Sequence, residues 1–230
     1  MNGFSEHVNR YNAFFTTLAS SGIQVFAWDQ RGWGRSAPTK SDWGLTGTTA
    51  VVVSDMAAFI QDKISGDVPL FVMGHSMGGG EVATLMGDPE RKDLVSKVRG
   101  FVLECPFIGF SPGAEPSAIT VAVGRFASRF LPKFQLEHII PPEYLSHDPD
   151  WAESVRNDPL CHNTGTLQGF ASMLDRTAVL SSGSVKVGKH VQSLWLAHGT
   201  DDKTCSCDAA MKWLEAQENV KDKSSKRYEG

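Results

Sequence analysis

Val68-Pro69-Leu70-Phe71-Val72-Met73-Gly74-His75-Ser76-Met77-Gly78-Gly79-Gly80 is a short apolar run that breaks into a glycine-rich turn around one serine. Val68 to Met73 reads as a buried strand, and Gly80 to Met86 begins the next helix. G-x-S-x-G between a strand and a helix is the pattern of a nucleophile elbow. The turn is so tight that backbone passes close to backbone, and glycines two residues either side of Ser76 remove the side chains that would clash. The following helix points its N-terminus at the serine, where the aligned peptide dipoles favour a developing negative charge. The Met77 N–H is one expected donor to that charge.

Working outward, strand and helix patterns alternate. Val8 to Ser20 reads as a helix, Ile23 to Trp28 as a strand, Thr46 to Lys63 as a helix and Val98 to Leu103 as a strand. The pattern returns at Gln192 to Ala197, with a helix near Asp208 to Ala216 and a last strand opening at Ser225. Continuous apolar strands of this kind suit a parallel sheet covered on both faces, and the alternation argues for an α/β fold. Between Pro106 and about Val179 prolines cluster and the rhythm is lost. That stretch contains one apolar helix, Ala118 to Leu131, read equally as core or as an exposed apolar face.

Composition narrows the class. The 230 residues carry 22 Lys and Arg against 26 Asp and Glu, a net charge of −4, with 41% hydrophobic residues. No basic block points to nucleic acid, and no apolar stretch reaches the roughly 18 residues of a membrane span. Four cysteines make no disulfide framework, and Cys205 and Cys207 are too close and isolated for a paired zinc motif. A reduced, cytoplasmic setting is the default expectation.

A serine nucleophile needs a carboxylate that orients a histidine base. Leu194-Trp195-Leu196-Ala197-His198-Gly199-Thr200-Asp201-Asp202 offers two adjacent candidates. The spacing H-G-x-x-D favours Asp202, with Asp201 as a turn residue and Glu104 as a third choice.

These features together resemble the monoacylglycerol lipase-like members of the serine aminopeptidase-like α/β-hydrolases. Gly3-Phe4-Ser5-Glu6-His7 with Arg10-Tyr11 is similar to that family's H-G-x-G-E-H…R-Y segment. Asp29-Gln30-Arg31-Gly32-Trp33-Gly34-Arg35-Ser36 is similar to its D-x-x-G-x-G-x-S loop, and the elbow and acid loop match as well. Asn157-Asp158-Pro159-Leu160 resembles a cap segment, and Tyr228-Glu229-Gly230 the segment just before the family's histidine. The resemblance implies one α/β-hydrolase domain, with a core at about 1–105 and 180–230 and a helical cap at about 106–179. It implies Ser76 as nucleophile, Asp202 as acid, and the N–H groups of Phe4 and Met77 as the oxyanion hole. The implied reaction is hydrolysis of monoacylglycerol or another long-chain ester through an acyl-enzyme, with no metal or organic cofactor. Peripheral contact with membranes or lipid droplets would go through the cap. General carboxylesterases, lysophospholipases and aminopeptidases share the frame, and a silent acyl-binding protein is the rival from another class.

Two positions depart from the pattern. Asn2 stands where the family has histidine, and none of the seven histidines occupies the catalytic position, which would fall just after Gly230. His75 and His198 read as structural, His7 as a support of the oxyanion loop, and His138, His147, His162 and His190 as cap or surface residues. The chain is therefore expected to be part of a longer enzyme, lacking first strands and a last helix, and nearly inactive by itself.

Overall fold

The computed structural model describes residues 1–229. Its elements in chain order are α1 (Asn12–Ser20), α2 (Thr49–Lys63), β1 (Phe71–His75), α3 (Met77–Gly87), α4 (Lys92–Val95), β2 (Gly100–Glu104) and α5 (Ala118–Ser128). They continue with β3 (Gln135–Glu137), α6 (Pro149–Arg156), β4 (Thr164–Thr166), α7 (Leu167–Ser181), β5 (Ser193–Gly199), α8 (Cys207–Glu215) and β6 (Asp222–Tyr228). Four parallel strands form the main sheet in the order β1-β2-β5-β6, with helices packed against it. This is the α/β-hydrolase arrangement the sequence implied.

The core forms where apolar faces of α2, α3 and α8 meet the strands. Val52, Met56 and Ile60 of α2, Val82 and Leu85 of α3, Phe101 and Leu103 of β2, and Leu194 and Leu196 of β5 are all buried in one cluster. β6 lies at the sheet's edge and is built of Asp222, Lys223, Ser224, Ser225, Lys226, Arg227 and Tyr228. Charged side chains on an edge strand discourage pairing with other chains.

Several boundaries move. The first described core strand begins at Phe71 rather than Val68, because Val68 is 74% exposed and the apolar run outlasts the paired backbone. Ile23 to Trp28 is not a strand: it pairs with no strand among the described residues, and Ile23 and Phe26 are exposed. The backbone beside β1 is instead that of Met1, whose amine donates to Met73 O (2.8 Å) and whose carbonyl accepts from His75 N (3.0 Å). A strand assignment requires a partner for its N–H and C=O groups, and apolar character alone does not supply one. Of the Tyr228-Glu229-Gly230 segment, Gly230 lies outside the described residues.

The proline-rich stretch holds a two-stranded antiparallel sheet, β3 with β4, and helices α5, α6 and the start of α7. α5 is not core: none of its residues is buried. Ile119, Val123 and Phe126, with Phe130 just beyond, recur at helical spacing and are 62–77% exposed. No helix among the described residues is long and apolar enough to cross a membrane.

Candidate active site

Sheet register builds the site. His75 at the end of β1 pairs with Glu104 of β2, and Glu104 with Ala197 of β5. The residues that follow, Ser76, Cys105 and His198, therefore stand side by side at the C-terminal rim, where ligands bind in open parallel sheets. Two rungs hold them: Ser76 N donates to Glu104 O, and Cys105 N to Ala197 O, both at 2.9 Å.

Ser76 has φ 52° and ψ −118°, a conformation that non-glycine residues rarely adopt. The glycines around it make the turn possible. A Cβ on Gly74 would lie 2.5 Å from Gly78 O, and one on Gly78 would lie 2.7 Å from Asn2 O. α3 starts at Met77, so its first N–H groups have no acceptor within the helix and face the serine end.

The loop carrying Phe4 passes directly over Ser76, since a Cβ on Gly3 would meet Ser76 Cβ at 3.3 Å. Glu6 clamps this loop by accepting from Gly3 N (2.9 Å) and from the Tyr11 hydroxyl. Asn2, standing where the family has histidine, donates through Nδ2 to Gly3 O and Glu6 O. The Phe4 ring packs edge-on to Trp33 and against Phe170. His7 supports the loop from outside by pairing through Nε2 with Asp158 Oδ2 at 2.8 Å, which ties it to the segment between α6 and β4.

The two adjacent aspartates point apart. Asp201 is exposed and pairs with Lys203 and His147. Asp202 turns inward: its Oδ1 accepts from Thr204 N, Thr204 Oγ1 and Cys205 N, while Ser111 Oγ holds its backbone carbonyl. Those bonds leave Asp202 Oδ2 open.

Among the described residues the Ser76 hydroxyl has one hydrogen-bonding contact, with Cys205 Sγ at 3.8 Å. Burial pushes that thiol up to about 12, so it is a neutral neighbour at pH 7. Among the described residues no histidine nitrogen is hydrogen-bonded to Ser76 Oγ. His162 is stacked between Trp33 and Trp43, with ring centroids at 5.0 and 4.5 Å. His190 bonds Met86 O, and the His138 ring lies 6.0 Å from that of Phe4. Cys205 escaped the sequence reading because no motif singles out a cysteine three residues past the aspartate. Glu6 and Tyr11 could have been found from their spacing to Gly3.

His75 faces Glu104 rather than the reacting centre, with Nδ1 3.3 Å from Glu104 Oε2. Burial lowers the histidine's affinity for a proton, but Glu104 and Glu6 outweigh it and leave the pKa raised. The bond to His75 holds the Glu104 carboxyl below its usual range. A raised histidine contributes stability below its unfolded pKa, and a lowered carboxylate contributes above its own. The pair's contribution is therefore greatest between about pH 4.5 and about pH 6.5. Glu104→Gln is expected to erase that part of the pH–stability profile while leaving the alkaline side nearly unchanged, as read by chemical denaturation across pH. An equal loss at all pH values would refute the pairing.

A cavity of about 10 Å³, lined by Phe4, Trp33, Met77, Phe170, Met173 and others, lies beside Ser76, which is not itself on its wall. It holds about one water.

A family model described as serine aminopeptidase, S33, matches residues 1–230. A Schizosaccharomyces pombe protein, provisionally assigned as a monoglyceride lipase, is 30% identical over 234 residues. That match takes in all of this chain but 59% of the S. pombe protein, so the chain spans less than two thirds of that relative. The Mus musculus monoglyceride lipase is 27% identical over 238 residues, covering 99% of this chain and 72% of its own length. In fold the chain resembles the crystal structure of a soluble variant of Saccharomyces cerevisiae monoglyceride lipase in complex with a substrate analogue. The TM-score is 0.88 at 22% identity, over 100% of this chain and 76% of that one.

Proposed function

Because the chain belongs to the serine aminopeptidase S33 family of α/β-hydrolases, we propose that it is a serine hydrolase of long-chain carboxylic esters, with monoacylglycerol as substrate. The observation that carries this reading is the strained Ser76 at the head of α3, under the Phe4 loop. Ser76 Oγ attacks the ester carbonyl carbon and forms a tetrahedral adduct. Its oxyanion accepts from the Phe4 and Met77 N–H groups, helped by the α3 dipole. Collapse breaks the ester C–O bond, glycerol leaves with a proton, and water then cleaves the acyl-enzyme to release the fatty acid. The serine proton needs a base, and Asp202 Oδ2 is the oxygen open to orient an imidazole.

The test is release of fatty acid from a long-chain monoacylglycerol, with imidazole supplied as an external base. We expect faster turnover on it than on a short-chain ester or on a proline anilide, and no turnover by Ser76→Ala. Preference for the anilide would move the activity to peptides. A second reading, an acyl-binding protein without turnover, rests on the apolar side chains of Phe4, Trp33, Met77 and Phe170 that line the cavity beside Ser76. Tight binding of fatty acid with no hydrolysis, even with imidazole, would support it.

The apolar stripe of Ile119, Val123, Phe126 and Phe130 suits contact with a membrane or lipid-droplet surface in the cytoplasm. Burying each such side chain is worth about 1.5–3 kcal/mol. The double variant Ile119→Ser, Phe126→Ser is expected to cut co-sedimentation with phosphatidylcholine vesicles at least about tenfold. Unchanged co-sedimentation would show that the stripe does not meet lipid.

A further inference from the structure

Ser5 follows Phe4, whose N–H the proposed reaction uses, and its backbone is unusual. Its φ is 61°, in the left-handed region that glycine occupies at no steric cost and serine does not. The motif this segment resembles, H-G-x-G-E-H, has glycine at the position. Ser5 is 6% exposed, and its Oγ accepts from Asn163 N at 2.8 Å. Glycine in its place would fit the backbone and lose this bond.

Asn163, which lies between α6 and β4, is a firm anchor. It is left-handed as well, with φ 53°, and its carbonyl accepts from His138 N at 2.7 Å. Its neighbour His162 is held between the Trp33 and Trp43 rings. The Gly32 carbonyl can only accept, so His162 Nε2 donates to it at 3.1 Å. The Thr164 N–H can only donate, so Nδ1 accepts from it, also at 3.1 Å. Both ring nitrogens are thereby used, and the ring pins the segment to the loop that carries Trp33.

The Phe4 peptide is therefore held from two sides. On one side Glu6 accepts from Gly3 N, and Asn2 donates to Gly3 O. On the other, Ser5 is tied to Asn163. An oxyanion donor works only when its N–H points at the place the oxygen will take, and a misplacement of about 1 Å can cost on the order of 100-fold in rate. A strained serine whose hydroxyl fixes the residue after the donor is a device for holding that direction.

We propose that Ser5 is a positioning residue: its bond to Asn163 N aims the Phe4 N–H at the oxyanion and makes hydrolysis depend on the segment between α6 and β4. The proposal rests on the activity proposed above. The role is indirect, since the hydroxyl acts through Phe4 and not on the ester.

The test compares Ser5→Ala and Ser5→Gly with wild type in monoacylglycerol hydrolysis supported by imidazole. Both variants lose the acceptor, but only alanine keeps the left-handed strain. Ser5→Gly is therefore expected to melt at least about 2 °C above Ser5→Ala. Both are expected to lower kcat by a similar factor, at least about tenfold, with KM held within about twofold. A purely structural role would make the loss follow stability and spare Ser5→Gly. Wild-type kcat in both variants, or a loss confined to Ser5→Ala, would overturn the proposal. A wild type without turnover contradicts the activity instead, and amide hydrogen exchange read by mass spectrometry then decides whether Ser5 orders the loop. Faster exchange in the peptides holding Gly3 to His7 and Asn163 is expected in both variants, and exchange equal to wild type would overturn the tie.

Discussion

Replacing Arg176 with methionine is expected to destabilise the protein by about 3–5 kcal/mol, a fall in Tm on the order of 10 °C for a chain of this size. Arg176 of α7 and Glu81 of α3 form the one ion pair in which both side chains are less than a tenth exposed, among the described residues, with Nη2 3.2 Å from Oε1. The pair fastens α7 to the helix that follows Ser76, and Arg176 Nη1 also reaches Thr49 Oγ1 of α2 at 3.4 Å. Without the guanidinium, only the Met1 amine and Gln30 still favour the buried Glu81 charge, and its Oε2 already lacks a partner. Burial raises the Glu81 pKa and Arg176 opposes that rise. In the variant the carboxyl therefore takes a proton more readily. A carboxyl raised on folding costs stability above its unfolded pKa, and the cost grows until the folded pKa is passed. The deficit of Arg176→Met should accordingly be largest at about pH 8 and shrink towards about pH 5. Adding Glu81→Gln is expected to recover most of the loss, because an ion pair exchanged for neutral groups of similar volume is often nearly neutral in stability. A deficit below about 1 kcal/mol at neutral pH, measured by urea denaturation, would contradict this account.

Ser76→Gly is expected to abolish ester hydrolysis and fluorophosphonate labelling while raising stability by about 1 kcal/mol. At φ 52° and ψ −118°, serine carries strain that glycine does not. The gain is partly offset by the greater freedom of glycine in the unfolded chain, so it stays small. Opposite signs for activity and stability are what a functional serine held in a costly conformation predicts. A serine kept there for the packing of its side chain would instead show a stability loss when that side chain is removed. Parallel assays of thermal unfolding and labelling on the same preparation separate the two.

Local signals were legible in the sequence where geometry is set by a few residues. The elbow is one case: Gly74 and Gly78 are required because a Cβ on either would enter the backbone of its neighbour. The inward turn of Asp202 and outward turn of Asp201 follow the H-G-x-x-D spacing that favoured the former. Long-range pairing was not legible. Ile23 to Trp28 has strand-like residues but no strand beside it. The three-residue pairing of Gln135–Glu137 with Thr164–Thr166 joins segments too short to show a period. α7 was hidden in the proline-rich stretch, although Thr166 caps it by accepting from Gly169 N. That Ser76, Cys105 and His198 stand side by side depends on how β1, β2 and β5 align, which no single segment encodes.

The central claim is that Ser76 is the nucleophile, and peptide mapping by mass spectrometry after reaction with a fluorophosphonate tests it most directly. Carried out with and without imidazole, the account predicts an adduct on the peptide containing Ser76, formed at least about tenfold faster with the external base, and absent from Ser76→Ala. An adduct on another serine, or none on Ser76 in folded protein with imidazole present, would contradict it.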